Sequence, residues 1–118
     1  MTKAAIVVLS NLENHNEMAR VLNALETVKD FKDSGDQVEL IFDGSGVVSA
    51  VNLADSDNKL NSLFQSVEDK VAGLCKFCAR AFEVYDKAEK QNLPFLAEHR
   101  QHPSLRKRAA DGYQVITF

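Results

Sequence analysis

Lys3-Ala4-Ala5-Ile6-Val7-Val8-Leu9-Ser10 is the stretch whose reading decides the fold. Its middle is apolar without a break and rich in β-branched residues. Strict alternation would mark a strand with one wet face. A continuous run marks a central parallel strand covered on both faces. A polar loop, Asn11 to Asn16, follows. Then Met18, Val21, Leu22, Leu25, Val28 and Phe31 recur at three- and four-residue steps, which predicts an amphipathic helix over residues 15 to 33. Ser34-Gly35-Asp36 closes it, with Gly35 suited to a left-handed C-terminal turn. Val38-Glu39-Leu40-Ile41-Phe42 is a second strand. Residues 3 to 42 are therefore one βαβ unit, whose crossover should be right-handed.

The alternation continues. Asp43-Gly44-Ser45-Gly46 is a turn at the carboxyl end of the second strand, and Val47 to Leu53 reads as a short helix. Ala54 to Lys59 is polar, and Leu60, Leu63, Phe64 and Val67 give another helical stripe. Val71-Ala72-Gly73-Leu74-Cys75 is a third strand. A helix from about Cys78 should turn Ala81, Phe82, Tyr85 and Ala88 to the core, until Asn92-Leu93-Pro94 breaks it. Leu93 to Leu96 is a short extended segment. His102-Pro103-Ser104 opens a last helix, since proline suits the first helical position, and Gly112 ends it. Tyr113 to Phe118 is a final strand. The expectation is one α/β domain over residues 1–118: a flavodoxin-like, three-layer arrangement around a mainly parallel sheet of about five strands.

Composition agrees and narrows the function. A chain of 118 residues buries a core without staples. The formal net charge of -3 argues against a nucleic-acid partner, which favours a basic face. Runs of 18 or more apolar residues, which a membrane span needs, are missing from the sequence. The apolar run after Lys3 is short and reads as a strand, not a signal peptide. A cytoplasmic, reducing setting is therefore expected. There the two cysteines are free thiols or metal ligands before they are a structural bridge.

Ligands of open α/β sheets bind beyond the carboxyl ends of the strands. Three segments should meet there: Ser10 to His15, Asp43 to Gly46, and Cys75 to Cys78. Cys75-Lys76-Phe77-Cys78 is the sharpest. The thiolate is the nucleophile, and at a helix start backbone N–H groups and the dipole favour it, so such motifs reach a pKa of about 7 or below. Cys78 is then a nucleophile with Lys76 and Arg80 near, and Cys75 a resolving thiol. The plainer reading makes Cys75 inert packing at a strand end. A zinc site from Cys75, Cys78, His99 and His102 is a weaker alternative. The histidine spacing does not match a finger, and a domain of this size needs no metal, so none is expected. His102 could serve the thiol as a base or simply cap the last helix. Ser10, Asn11 and Gly44 could line an anion site, although the Asp43–Gly46 turn lacks the spacing of a phosphate loop. Arg106-Lys107-Arg108 reads as a solvated helix face.

The opening strand, the Ile41-Phe42-Asp43-Gly44 strand end and the cysteine-led Cys78-Ala79-Arg80-Ala81-Phe82 carry a resemblance. So does the ending, His102-Pro103-Ser104-Leu105 through Asp111-Gly112-Tyr113-Gln114-Val115-Ile116-Thr117-Phe118. Over nearly its whole length the chain resembles the DsrE/DsrF-like family of small α/β proteins. That resemblance implies a homo-oligomer, a trimer or hexamer. It also implies a cysteine after the third strand that accepts a persulfide and passes it to a partner protein. Ala81 fits the family spacing to Cys78, so the role carries over to Cys78, and Cys75 has no counterpart. The expectation is a sulfur-relay or thiol-redox protein without organic cofactor, since the chemistry runs through thiolate attack. The alternative is a non-catalytic oligomeric module for a small anionic ligand or a protein partner.

Overall fold

The computed structural model describes residues 2–118. Strand β1 (Lys3–Val8) is followed by helix α1 (His15–Asp33), β2 (Gln37–Phe42), α2 (Gly46–Leu53) and α3 (Asn61–Val67). A 3-10 turn (Glu68–Lys70) then leads into β3 (Val71–Cys75), α4 (Lys76–Ala81) and α5 (Tyr85–Lys90). The chain ends with β4 (Phe95–Leu96), α6 (Leu105–Ala110) and β5 (Gln114–Thr117). Among the described residues five strands form one sheet in the order β4-β3-β2-β1-β5, with each neighbouring pair parallel. The protein is α/β, with the flavodoxin-like three layers expected from the opening stretch. Among the described residues no helix is long and apolar enough to cross a membrane.

The register explains the unbroken apolar run. Ala4, Ala5, Ile6, Val7 and Val8 are all fully buried, because β1 lies between β2 and β5 with a layer on each face. Ala4, Ile6 and Val8 join Val38, Leu40 and Phe42 in a large core against α1, α2, α3 and α5. Ala5, Val7 and Ile41 point the other way into a small second core with Leu105 and Tyr113 around it. In α1 the buried positions are Val21, Ala24, Leu25 and Val28, and Asn14 caps the start by accepting from the Glu17 N–H. The helix ends where it should: Gly35 has φ 77, and the Asp36 N–H reaches back to the Phe31 carbonyl at 3.0 Å.

The helical reading after Cys78 needs correction. One long helix becomes two, α4 and α5, and Ala81 and Phe82 are exposed instead of core-facing. Tyr85 is half-buried, and Ala88 is buried as expected. The break is a left-handed residue, Glu83 at φ 59, after which the Val84 N–H closes on the Ala79 carbonyl at 2.8 Å. That is the usual C-terminal helix stop, built with glutamate where glycine is preferred. The basic run near the end is not wholly solvated either. Arg108 is buried between Glu39 and Glu98, donating to both. The last helix starts at Leu105 with Ser104 as its cap, accepting from the Lys107 N–H, so neither His102 nor Pro103 opens it. Leu22, assigned to the buried stripe of α1, is exposed.

Candidate functional site

The site is built where β2 and β3 end. Cys75 is the N-cap of α4, and its sulfur accepts the Cys78 N–H at 3.3 Å. That geometry accounts for the spacing of the pair. An N-cap side chain satisfies the third helical N–H, and here sulfur does so in place of the usual oxygen. The residue three positions on is therefore brought back against its partner. The two thiols are free, Cys75 with no exposure and Cys78 with 9%.

Two other segments close on this turn. Asp43 follows β2, its N–H donating to the Val8 carbonyl at 2.9 Å and its carboxylate accepting the Gly44 N–H at 2.8 Å. So oriented, it accepts from the Cys78 thiol at 3.6 Å. On the other side stands a two-residue hairpin, His99 to His102, closed by paired backbone hydrogen bonds of 2.9 and 2.8 Å. Arg100 (φ 49) and Gln101 (φ 71) are both left-handed at its tip. The Gln101 carbonyl accepts the Phe77 N–H at 2.9 Å, docking the tip on the first turn of α4. This places Nδ1 of His102 3.2 Å from the Cys75 sulfur. The Gln101 carbonyl accepts from that thiol at 3.8 Å, so the carbonyl and the imidazole ring flank the same sulfur. The exposed Phe77 ring packs on the His102 imidazole at 4.8 Å and fixes its plane. Burial, and then the neighbouring Cys78, push the Cys75 thiol up to about 12.

The structure thus brings together Cys75, Cys78 and His102, but joins His102 to Cys75 and not to Cys78. Gly44 serves the site by orienting Asp43. Ser10 is buried and Asn11 half-buried. The Ser10 carbonyl accepts the Ser49 hydroxyl at 2.6 Å, and the Asn11 side chain serves Leu12 and Glu13. Arg80, expected near the sulfur, lies over the Tyr85 ring at 4.8 Å. With six residues, α4 is also too short for the dipole argument that a long helix would support. His99 is exposed and stands outside the cluster. Asp43 is the residue that sequence reasoning passed over. It lay in a turn already placed at the sheet's carboxyl end, but an Asp-Gly pair there is explained by turn chemistry alone.

A parallel sheet with a sulfur-capped Cys-x-x-Cys turn, a carboxylate and an imidazole at its carboxyl edge defines a small α/β thiol protein. The chain is 30% identical over 115 residues to the uncharacterised protein MJ0733 of Methanocaldococcus jannaschii, a match covering 97% of this chain and 93% of that protein. It belongs to the same family as that archaeal protein. No family model matches the chain. Among solved structures it is similar to the conserved protein of unknown function BT1422 from Bacteroides thetaiotaomicron. The TM-score is 0.68 and the identity 12%, over 98% of this chain and 95% of that one, which is a likeness of fold.

Proposed function

We propose that the protein is a sulfur carrier of the DsrE/DsrF-like kind, taking sulfane sulfur onto Cys78 from a donor and passing it to an acceptor protein. The observation that supports this most is the pair of free thiols meeting an acid and an imidazole at the ligand edge of the sheet. Of the two, Cys78 is the one that solvent reaches, and its proton has an acceptor in Asp43. Cys75 is sealed and keeps its proton, so it is the poorer nucleophile. In the loading step the Cys78 sulfur attacks the terminal sulfur of a persulfide donor. A new S–S bond forms on Cys78, the donor's S–S bond breaks, and the donor leaves as a thiol that takes up the proton Cys78 gave away. No external oxidant is needed, and unloading is the same step with an acceptor thiol or thiolate.

Partner proteins fit the surroundings. Phe77 in the first turn of α4 and Phe82 at its C-cap are both exposed, one on each side of Cys78 in the chain. Two free thiols suit a reducing cytoplasmic compartment. A homo-oligomer, trimer or hexamer, belongs to the same proposal and is supported by the exposed Val115 on edge strand β5. That strand equally supports the second reading, a non-catalytic oligomeric module. Intact mass after incubation with a persulfide donor separates the two. The carrier gains one sulfur atom, Cys78→Ser does not, and Cys75→Ser still does. No adduct on the folded protein would leave only the second reading.

A further inference from the structure

The geometry points to a metal site at Asp43, Cys75, Cys78 and His102 that takes a divalent ion of zinc's preferences. The donor atoms of these four residues lie within 4.8 Å of one another. In a tetrahedral zinc site with bonds of about 2.0 to 2.3 Å, donors stand about 3.3 to 3.8 Å apart. Cys75 Sγ to His102 Nδ1 is 3.2 Å, and Cys78 Sγ to Asp43 Oδ1 is 3.6 Å. The widest pair has to close by about 1 Å, within the reach of small side-chain rotations. Two sulfurs, one imidazole nitrogen and one carboxylate oxygen suit zinc and disfavour the hard ions magnesium and calcium.

What surrounds the donors is what a metal site needs. The Gly44 N–H holds the Asp43 carboxylate, the Cys78 N–H points at the Cys75 sulfur, and Phe77 fixes the imidazole plane. The donors come from three segments far apart in sequence, so their convergence is a property of the fold and not of one loop. On binding, the two thiols lose their protons to solvent and two sulfur–metal bonds form, without change of oxidation state. His99, which the sequence spacing offered as a ligand, is outside the set, and Asp43 takes that place. The inference stands on the donor geometry and does not rest on sulfur transfer. A bound ion caps both thiols, so persulfide loading belongs to the metal-free protein.

The test is titration of the reduced, metal-free full chain with cobalt, followed by zinc competition. One cobalt per chain is expected, with the ligand-field bands of tetrahedral cobalt and a thiolate charge-transfer band, both erased by zinc. Asp43→Asn, Cys75→Ser, Cys78→Ser and His102→Gln should each weaken zinc binding by at least the roughly tenfold that even outer-shell changes cost. His99→Gln should leave it unchanged. Circular dichroism and a urea midpoint on each variant confirm that the fold is kept, and a variant that fails to fold is replaced by alanine at the same position. Folded wild-type protein with both thiols titratable and less than stoichiometric cobalt overturns the site. So does equal affinity in folded His102→Gln and Asp43→Asn. The sulfur adduct is read by mass on metal-free protein, so either idea can fail alone.

Discussion

A Cβ built on Gly46 would sit 2.0 Å from the Val8 carbonyl oxygen and 2.8 Å from its carbon, distances that side chains do not tolerate. Helix α2 begins in contact with the end of β1, and only glycine permits it. The obstacle is backbone, so nothing swings aside. Gly46→Ala should cost more than about 2 kcal/mol, read as a fall in the urea midpoint. Gly112 makes the control. Its φ is 88 but a Cβ there meets nothing within 4 Å, so Gly112→Ala should cost only the left-handed penalty of about 1 kcal/mol. Equal losses would show that strain, and not close approach, sets the cost at residue 46. At the site the legibility of single residues followed their rarity. Two cysteines and three histidines in 118 residues drew attention to themselves, and Cys75, Cys78 and His102 do converge. Asp43 was one of many acidic residues, and its partner lies 35 positions away. No local pattern marks such a pairing.

Elements whose ends are decided locally were legible, and those decided by packing were not. Helix α1 carries its apolar stripe, its Asn14 cap and its Gly35 stop in its own sequence. The break after α4 is different, since nothing in Phe82-Glu83-Val84 announces a left-handed glutamate. The His99–His102 hairpin is the same kind of case, with Arg100 and Gln101 in the turn that Asn-Gly prefers. Replacing the tip with Asn-Gly should raise stability by about 1 kcal/mol while leaving the proposed sulfur loading intact, because the hydrogen bond that docks the tip on α4 comes from the Gln101 backbone carbonyl. A loss of stability, or of loading, would mean that the Arg100 or Gln101 side chain has a task of its own. Helix α6 is held by charge. Burial opposes the ionised form of Glu98, but the Ser104 N–H and the Arg108 guanidinium outweigh it and hold the carboxyl below its ordinary range. A carboxylate with a lowered folded value stabilises fully above its ordinary value, about 4.3, and loses that contribution as pH falls through the folded one. The stability gap between wild type and Glu98→Gln should therefore be constant from pH 7 to 5 and shrink at lower pH. Urea midpoints across that range measure it, and a gap independent of pH would remove Glu98 from the anchoring of α6. The burial of Arg108 could not be read from the sequence, because Glu39 lies 69 residues from it.

At the scale of the molecule the two faces of the sheet are unequal. Among the described residues five helices cover one side over a large core, while the other has three fully buried strand residues and leans on α6. The radius of gyration, 13.1 Å, is that of a compact chain of this length, about 13 Å, so the imbalance does not come from an open fold. It comes from topology. Consecutive crossovers from β1 to β4 lie on one face, and only the return to β5 passes over the other. That return leaves β5 on the sheet's edge, four residues long, with Val115 exposed beside buried Ala5 and with Tyr113 and Ile116 only half-covered. An apolar edge strand with free backbone groups is a pairing surface unless something covers it. A second copy of the chain is the cover expected here, as the proposed trimer or hexamer requires. Light scattering at micromolar concentration should return a multiple of 13.1 kDa. Val115→Lys places a charge in the edge and should shift the distribution to the monomer while leaving the Cys75–Cys78 turn untouched, since β2 and β1 stand between β3 and β5 in the sheet. If the wild-type chain is itself a clean monomer, β5 is a bare edge and the oligomer is withdrawn. If the variant stays assembled, the interface lies elsewhere, and the exposed Phe82 at the C-cap of α4 becomes the next residue to charge.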